Sequence, residues 1–277
     1  MSLLSRLRSA ALALAAAASF GAGFAAPPAA RANDSSAAAP VKHLSVPDAA
    51  RFSKQIERDL ASKDARVAIV FRSGRPRDKL PEGIAYTHGA FWVHRAIETE
   101  DGRTLNGYAV YNLYHGNGTK LPIDRSYLEQ DWPLDFTRGS HVDDVAVIVP
   151  SPEIQRRLLT VIESPTYGKM HNPSYSLVAN PLSPKHQNCN TFMLNVIAAA
   201  AWATDDLQQV HANLRAHYRP TGVKAGLLMR AFGPMTDPRL KTDDHRGPIR
   251  TATYESISAF MAQNGLLQES YVLNRAL

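Results

Sequence analysis

The single cysteine of this 277-residue chain, Cys189, stands where a helix is predicted to begin. A loop with two prolines precedes it, and a strongly apolar run after it predicts a buried helix over 189–203. A thiol at a helix N-terminus faces unpaired backbone N–H groups and the positive end of the helix dipole, and both favour the thiolate. The same N–H groups can stabilise an oxyanion. The position indicates a nucleophile with a lowered pKa, whereas the alternative interpretation is a small residue buried in the core.

A cysteine nucleophile requires a base, usually a histidine, which a third polar group orients. Of the ten histidines, His88, His94 and His115 lie on a predicted β-hairpin. His88 stands in the segment YTHGAFWV, where Gly89 leaves space beside the imidazole. A strand histidine that faces a cysteine at a helix N-terminus resembles the layout of papain-like hydrolases. His88 is therefore the candidate base, expected within roughly 4 Å of the thiol, and the alternative is a hydrogen-bonded structural histidine.

The third group depends on the register of the hairpin. Asp101-Gly102 is a strong turn signal, and a tight turn at these residues places His115 opposite His88. A longer connection shifts the register and brings Asn112 to His88 instead. A shift of one residue moves a side chain to the other face of the sheet. The sequence therefore leaves both Asn112 and His115 as candidates to orient the imidazole.

These residues must be positioned by a mixed set of elements. Apolar periodicity, turn signals and capping residues predict a helix, several strands and then mostly helices, which indicates an α+β fold. The segment 116–140 is predicted to be irregular, with one helical turn near 127–130. The predicted helices are 47–63, 153–162, 189–203, 206–218, 223–232 and 254–263, and the predicted strands are 66–72, 86–97, 105–115, 144–149, 175–179 and 268–274.

The N-terminus predicts export. Arg6 and Arg8 precede an apolar run over 10–20 that is too short to span a bilayer, and Ala30-Arg31-Ala32 has the form of a cleavage site. The alternative is an uncleaved N-terminal anchor. We expect a periplasmic or otherwise secreted protein with no integral membrane segment after cleavage. The predicted parts are a signal peptide over 1–32, a linker over 33–43, and a single domain over 44–277 with a C-terminal helical extension.

Composition excludes several classes of function. Without Arg6, Arg8 and Arg31 the formal net charge falls from +6 to +3, and no basic block with interleaved aromatics indicates a nucleic-acid partner. One cysteine allows no intramolecular disulfide and no zinc-type cysteine pair. The sequence has no G-x-S-x-G, H-E-x-x-H or phosphate-binding loop. It therefore predicts neither a cofactor nor a metal, and it leaves the oligomeric state open.

The order of these motifs resembles a known fold family. A histidine strand (YTHGAFWV), a second strand (YAVYNLYHG) and a distant helix that opens with Asn188-Cys189-Asn190-Thr191-Phe192 are similar to the circularly permuted branch of the NlpC-type papain-like fold. The lecithin retinol acyltransferase family belongs to that branch and has a comparable Asn-Cys-x-x-Phe motif. Relatives often place a second histidine about a dozen residues after the first, where this sequence has Glu100. The whole chain also resembles an uncharacterised family of exported proteobacterial proteins with a domain of unknown function.

The resemblance implies a permuted papain-like fold, an antiparallel sheet with helices packed on it. It further implies a cysteine hydrolase or acyltransferase that acts on an amide or ester bond. In this interpretation Cys189 is the nucleophile, His88 the base, and Asn112 or His115 the orienting group. The compartment favours cell-wall (peptidoglycan) peptides or a small acyl substrate as partner. The alternative is a non-catalytic periplasmic binding or assembly protein that keeps the same fold.

Overall fold

The structure, a computed structural model, describes residues 43–98, 101–223 and 237–276. The predicted signal peptide, the linker up to residue 42 and the predicted helix beyond Val223 lie outside the described residues. Within these ranges no helix is long and apolar enough to cross a membrane. The described helices are α1 (Val46–Ser62), α2 (Pro133–Arg138), α3 (Pro152–Ile162), α4 (Pro165–Lys169), α5 (Cys189–Trp202), α6 (Leu207–His217) and α7 (Tyr254–Gln263).

Eight strands lie in the part of the chain that the structure describes, and six of them form one antiparallel sheet in the order β4-β3-β2-β1-β5-β8. The other two pair as a short ribbon. The expected α+β class, with helices packed on an antiparallel sheet, is confirmed. The strands are β1 (Val67–Arg72), β2 (His88–Glu98), β3 (Thr104–His115), β4 (Ser126–Asp131), β5 (Asp144–Pro150), β6 (Thr221–Gly222), β7 (Arg250–Thr251) and β8 (Leu267–Asn274).

Alternating side chains divide the core between the two faces of the sheet. On β2, Phe91 and Val93 point to one side, which α3, α5, α6 and α7 cover, and we call it the α5 face. Ala90 and Trp92 point to the other side, which α1 and α2 cover, and we call it the α1 face. Because β1 and β5 are buried on both faces, they read as continuous apolar runs.

Two expectations about elements are wrong. Residues 126–131 form strand β4, not a helical turn, because an edge strand with polar side chains shows little apolar periodicity. Within the predicted strand 175–179, only Tyr175 forms a bridge, with Gln187. The predicted strand 268–274 forms as β8, which follows α7 and pairs with β5 in the main sheet.

Candidate functional site

Helix α5 begins at Cys189, as the sequence predicts, because two reciprocal hydrogen bonds cap its N-terminus. The side chain of Asn188 accepts a hydrogen bond from the backbone N–H of Thr191, at 2.9 Å. The hydroxyl of Thr191 in turn accepts from the backbone N–H of Asn188, at 2.8 Å. This reciprocal capping box fixes where the helix starts. Cys189 therefore occupies the first helical position, beside the N–H groups that have no partner within the helix.

A glycine lets α5 approach the start of β2 very closely. A Cβ added at Gly89 would overlap Met193 Cε and lie 2.8 Å from the ring of Phe71. The sulfur of Cys189 lies 3.9 Å from the carbonyl oxygen of Thr87 and interacts with the backbone N–H of Gly89. The thiol thus contacts the backbone on both sides of His88.

Burial controls the ionisation of this thiol. Cys189 is 6% exposed. Burial raises the pKa of the Cys189 thiol, although the N–H groups of Gly89 and Asn190 and the charge of Arg72 act in the opposite direction. The expectation of a lowered pKa at this helix N-terminus is therefore wrong, because the loss of water around the anion outweighs the hydrogen bonds and the nearby charge.

The β2–β3 register decides which side chain meets His88. Five residues, 99–103, connect the strands, and Phe91 pairs with Tyr111. Relative to a tight turn, the ladder shifts by one residue, so Tyr114 faces His88 in place of His115. The rings of His88 and Tyr114 stack with centroids 5.3 Å apart. The longer connection considered from the sequence is the one that forms.

Asn112 is the partner that this register brings to the imidazole. Nε2 of His88 donates a hydrogen bond to Oδ1 of Asn112, at 2.9 Å. Both side chains lie on the α1 face, where the ring of His88 also packs 5.8 Å from that of Phe136, between centroids. Burial lowers the pKa of His88 to about 3, with a further contribution from the charge of Arg72. The imidazole is therefore neutral near pH 7.

His115 points to the opposite face of the sheet. Its ring packs against Tyr175 with centroids 5.3 Å apart. Its Nδ1 donates to the carbonyl oxygen of Gly116 at 2.7 Å, and its Nε2 accepts from Arg239 at 3.1 Å. The structure does not bring His115 to His88, because the one-residue shift in register exchanges the faces.

The thiol and the imidazole lie on either side of the start of β2. Cys189 belongs to the core of the α5 face, whereas His88 packs on the α1 face. Among the hydrogen bonds of the described residues, none joins the two side chains. The thiol instead points to the carbonyl oxygen of Thr87 and, at 3.7 Å, to Oδ1 of Asn190. The two groups are neighbours through the backbone of residues 87–89.

Sequence reasoning missed a partly buried acid behind Asn112. Nδ2 of Asn112 donates to Oδ2 of Asp131 at 3.1 Å, and the hydroxyl of Tyr114 donates to the same oxygen at 2.5 Å. Burial raises the pKa of Asp131 to about 6. We call His88, Asn112, Tyr114 and Asp131 the His88 network. Pro133 is the sequence feature that could have indicated the end of strand β4. A residue before proline favours extended backbone, which is consistent with a strand that ends at 131–132.

A second histidine near Cys189 in the sequence has different partners. Nδ1 of His186 lies 2.8 Å from the hydroxyl of Ser174, and its Nε2 donates to Asp243 at 2.7 Å. Both ring nitrogens are engaged away from the thiol. His211, on α6, is buried. Across the described ranges, no group of three or more His, Cys, Asp or Glu side chains could hold a metal ion.

Comparison with known proteins gives one result. The family described as "Uncharacterized protein conserved in bacteria (DUF2145)" matches residues 59–261. The chain belongs to this family. The match to DUF2145 includes β1 to β5, α2 to α6 and most of α7, and with them Cys189 and the whole His88 network. No curated protein and no solved structure matches the chain.

Proposed function

We propose that this DUF2145 protein is a cysteine hydrolase or acyltransferase of permuted papain-like fold that acts on an amide or ester bond outside the cytoplasm. The hydrogen bond between His88 Nε2 and Asn112 Oδ1 carries the proposal. It leaves Nδ1 of His88 as the nitrogen available to take a proton, and the backbone on both sides of His88 contacts the thiol. The sequence of residues 1–32 supports export, and a cell-wall peptide or a small acyl compound is the substrate class.

The proposed reaction has two stages. The sulfur of Cys189 attacks the acyl carbon while His88 Nδ1 takes the thiol proton, and the backbone N–H of Cys189 stabilises the oxyanion. His88 then gives that proton to the leaving amine or alcohol as the carbon–heteroatom bond breaks, which leaves a thioester. Water or a second acceptor, deprotonated by His88, attacks the thioester and releases the thiol. Water makes the protein a hydrolase, and another acceptor makes it an acyltransferase.

The geometry requires a movement before reaction. The thiol is buried, its pKa is raised by burial, and its present partners are the oxygens of Thr87 and Asn190. Because the two side chains lie on opposite faces of the sheet, the backbone of residues 87–89 must shift, together with the side chains of Cys189 and His88, before proton transfer. The described conformation is, in this proposal, the resting state of the enzyme.

The same burial favours a second candidate function. A thiol without a hydrogen bond to the imidazole, and an imidazole with a pKa of about 3 owing to burial, fit a binding or assembly protein that keeps the fold without catalysis. Here the His88 network would have only a structural role. The two candidates differ in whether the reactivity of Cys189 depends on His88.

Labelling with a thiol-reactive acyl electrophile separates the candidates. The mature protein is compared with Cys189→Ala, His88→Ala and Asn112→Ala, and with His186→Ala as a matched histidine control. For an enzyme, Cys189 reacts faster than a model thiol at pH 7, and His88→Ala slows labelling by about 100-fold, the usual contribution of a general base. Asn112→Ala slows it less, and His186→Ala leaves it unchanged. A rate no faster than that of the model thiol and equal in all histidine variants refutes catalysis and supports the binding protein.

A further inference from the structure

The amide of Asn112 lies between two partners in a fully buried position. The residue is 1% exposed. Its Oδ1 meets Nε2 of His88, and its Nδ2 meets Oδ2 of Asp131. An asparagine amide can turn over and exchange its oxygen and nitrogen, and a histidine can carry its hydrogen on either nitrogen. His88 and Asn112 alone would therefore allow two arrangements, with the hydrogen on Nε2 or on Nδ1.

Asp131 removes this ambiguity. Its Oδ2 accepts a hydrogen bond from the hydroxyl of Tyr114 and so presents lone pairs toward Asn112. Only the NH2 group of Asn112 can meet such an oxygen favourably, because two oxygens would repel each other in a buried position. The amide oxygen must then face His88, and Nε2 of His88 must carry the hydrogen.

We propose that Asp131 is a positioning residue that, through Asn112, fixes the tautomer of His88 with the lone pair on Nδ1. This is the form that a general base needs for a proton arriving at Nδ1. The role of His88 as base rests on the proposed function, whereas its tautomer follows from the hydrogen bonds of the His88 network alone.

His186 provides an internal contrast. Its Nε2 donates directly to a carboxylate oxygen of Asp243, with no amide between them. A change at Asp243 acts on His186, and a change at Asp131 acts on His88 two hydrogen bonds away. Asp243→Leu is thus the matched control for Asp131→Leu, since each removes the acid of one histidine and leaves the other unchanged.

The test is NMR of the full mature protein with ¹⁵N-labelled histidine at pH 7, with the signals assigned from His88→Gln and His186→Gln. The expected result is a hydrogen on Nε2 of His88 in the wild type. Its exchange with water should be at least about tenfold faster in Asp131→Leu, since a freed amide no longer holds its oxygen toward the ring. Asp131→Asn retains an acceptor oxygen and should restore slow exchange, and Asp243→Leu should alter only His186.

Two outcomes overturn the proposal: a hydrogen on Nδ1 of His88 in the wild type, or unchanged exchange at His88 in a folded Asp131→Leu. If that variant does not fold, Asp131→Ser, whose side chain is too short to reach Asn112, takes its place with the same criteria. These readouts require no catalysis. Labelling that is insensitive to His88→Ala would refute the enzyme but leave the tautomer result standing.

Discussion

The two faces of the sheet hold the two halves of the candidate site by different forces. On the α5 face, the capped start of an apolar helix and its close packing on Gly89 place the thiol of Cys189. On the α1 face, hydrogen bonds among side chains place the imidazole of His88. A packed apolar contact tolerates exchange of one apolar side chain for another of similar size, but not a change in volume. A buried polar network is instead destabilised by the loss of any hydrogen-bond partner. The faces should therefore respond to opposite kinds of substitution.

The largest effect should come from removing the acid of the α1 face. Asp131→Ala leaves the NH2 group of Asn112 and the hydroxyl of Tyr114 without an acceptor, and it removes a carboxylate that interacts with the buried charge of Arg72. We expect the free energy of unfolding to fall by about 3 kcal/mol. Urea unfolding at pH 7 measures it.

Asp243→Ala is the matched control for this loss. Asp243 also accepts a hydrogen bond from a histidine, but its side chain is 60% exposed. Water replaces the lost partners there, so the free energy of unfolding should change by less than about 1 kcal/mol. Equal losses in Asp131→Ala and Asp243→Ala would contradict the contrast between a buried and a solvated network.

The second effect concerns volume on the α5 face. In Gly89→Ala the new methyl group overlaps the end of the Met193 side chain and crowds the ring of Phe71, so the side chains packed between α5 and the sheet must shift. Overpacking of this kind should lower the free energy of unfolding by about 2 kcal/mol. Gly107→Ala on the neighbouring strand is the control, because its nearest atom lies 3.9 Å away, on Ile97. Equal melting temperatures for the two variants would refute the close approach of α5.

The contrast between the faces also explains what could be read from the sequence. The start of α5 at Cys189 followed from local signals, a proline-containing loop and then a long apolar run, and it is confirmed. The partner of His88 could not be predicted from local signals, because it depends on the length of the β2–β3 connection. A shift of one residue in the register replaces Asn112 by His115. Local patterns determine an element, whereas a pair across strands requires the register.

Asp131 illustrates a second limit of sequence reasoning. Strand β4 lies at the edge of the sheet, and its polar side chains lack the alternation that marks a half-buried strand. Nothing local connects Asp131 with Asn112, 19 residues away. The pKa of the Cys189 thiol could not be predicted from the sequence for the same reason. The helix N-terminus could be read from the sequence, but the burial that raises the pKa of the thiol arises only from tertiary packing.

The third effect is the pH dependence of the His88 network. Burial places the folded-state pKa of His88 at about 3, below its ordinary value of 6.5, so the unfolded state binds the proton more readily. Stability from neutral His88 is complete above pH 6.5 and is lost as the pH falls toward 3. Between pH 7 and 4.5, wild type should therefore lose about 2.5 kcal/mol that His88→Gln does not lose. Unfolding in urea at both pH values measures the difference.

The raised pKa of Asp131 changes the stability in the opposite direction over nearly the same pH range. Burial raises its folded-state pKa from 3.8 to about 6, so the folded state binds the proton more readily and gains stability as the pH falls from 6 to 3.8. Asp131→Asn should lose this gain, so that its stability relative to wild type falls at pH 4.5 while that of His88→Gln rises. Changes of the same sign in both variants would contradict the assigned pKa directions.

The smallest effect compares one helix cap from each face. Asn188→Ala removes the acceptor for the N–H of Thr191 and should lower the free energy of unfolding by about 1 kcal/mol. Ser45→Ala removes the corresponding acceptor for the N–H of Asp48 at the exposed start of α1, where water can substitute, and should cost about half as much. Only the first variant loosens the backbone that holds the thiol. Alkylation of Cys189 should therefore accelerate in Asn188→Ala and stay at the wild-type rate in Ser45→Ala. Equal alkylation rates in the two variants would mean that the remaining packing of α5, and not its cap, keeps the thiol buried.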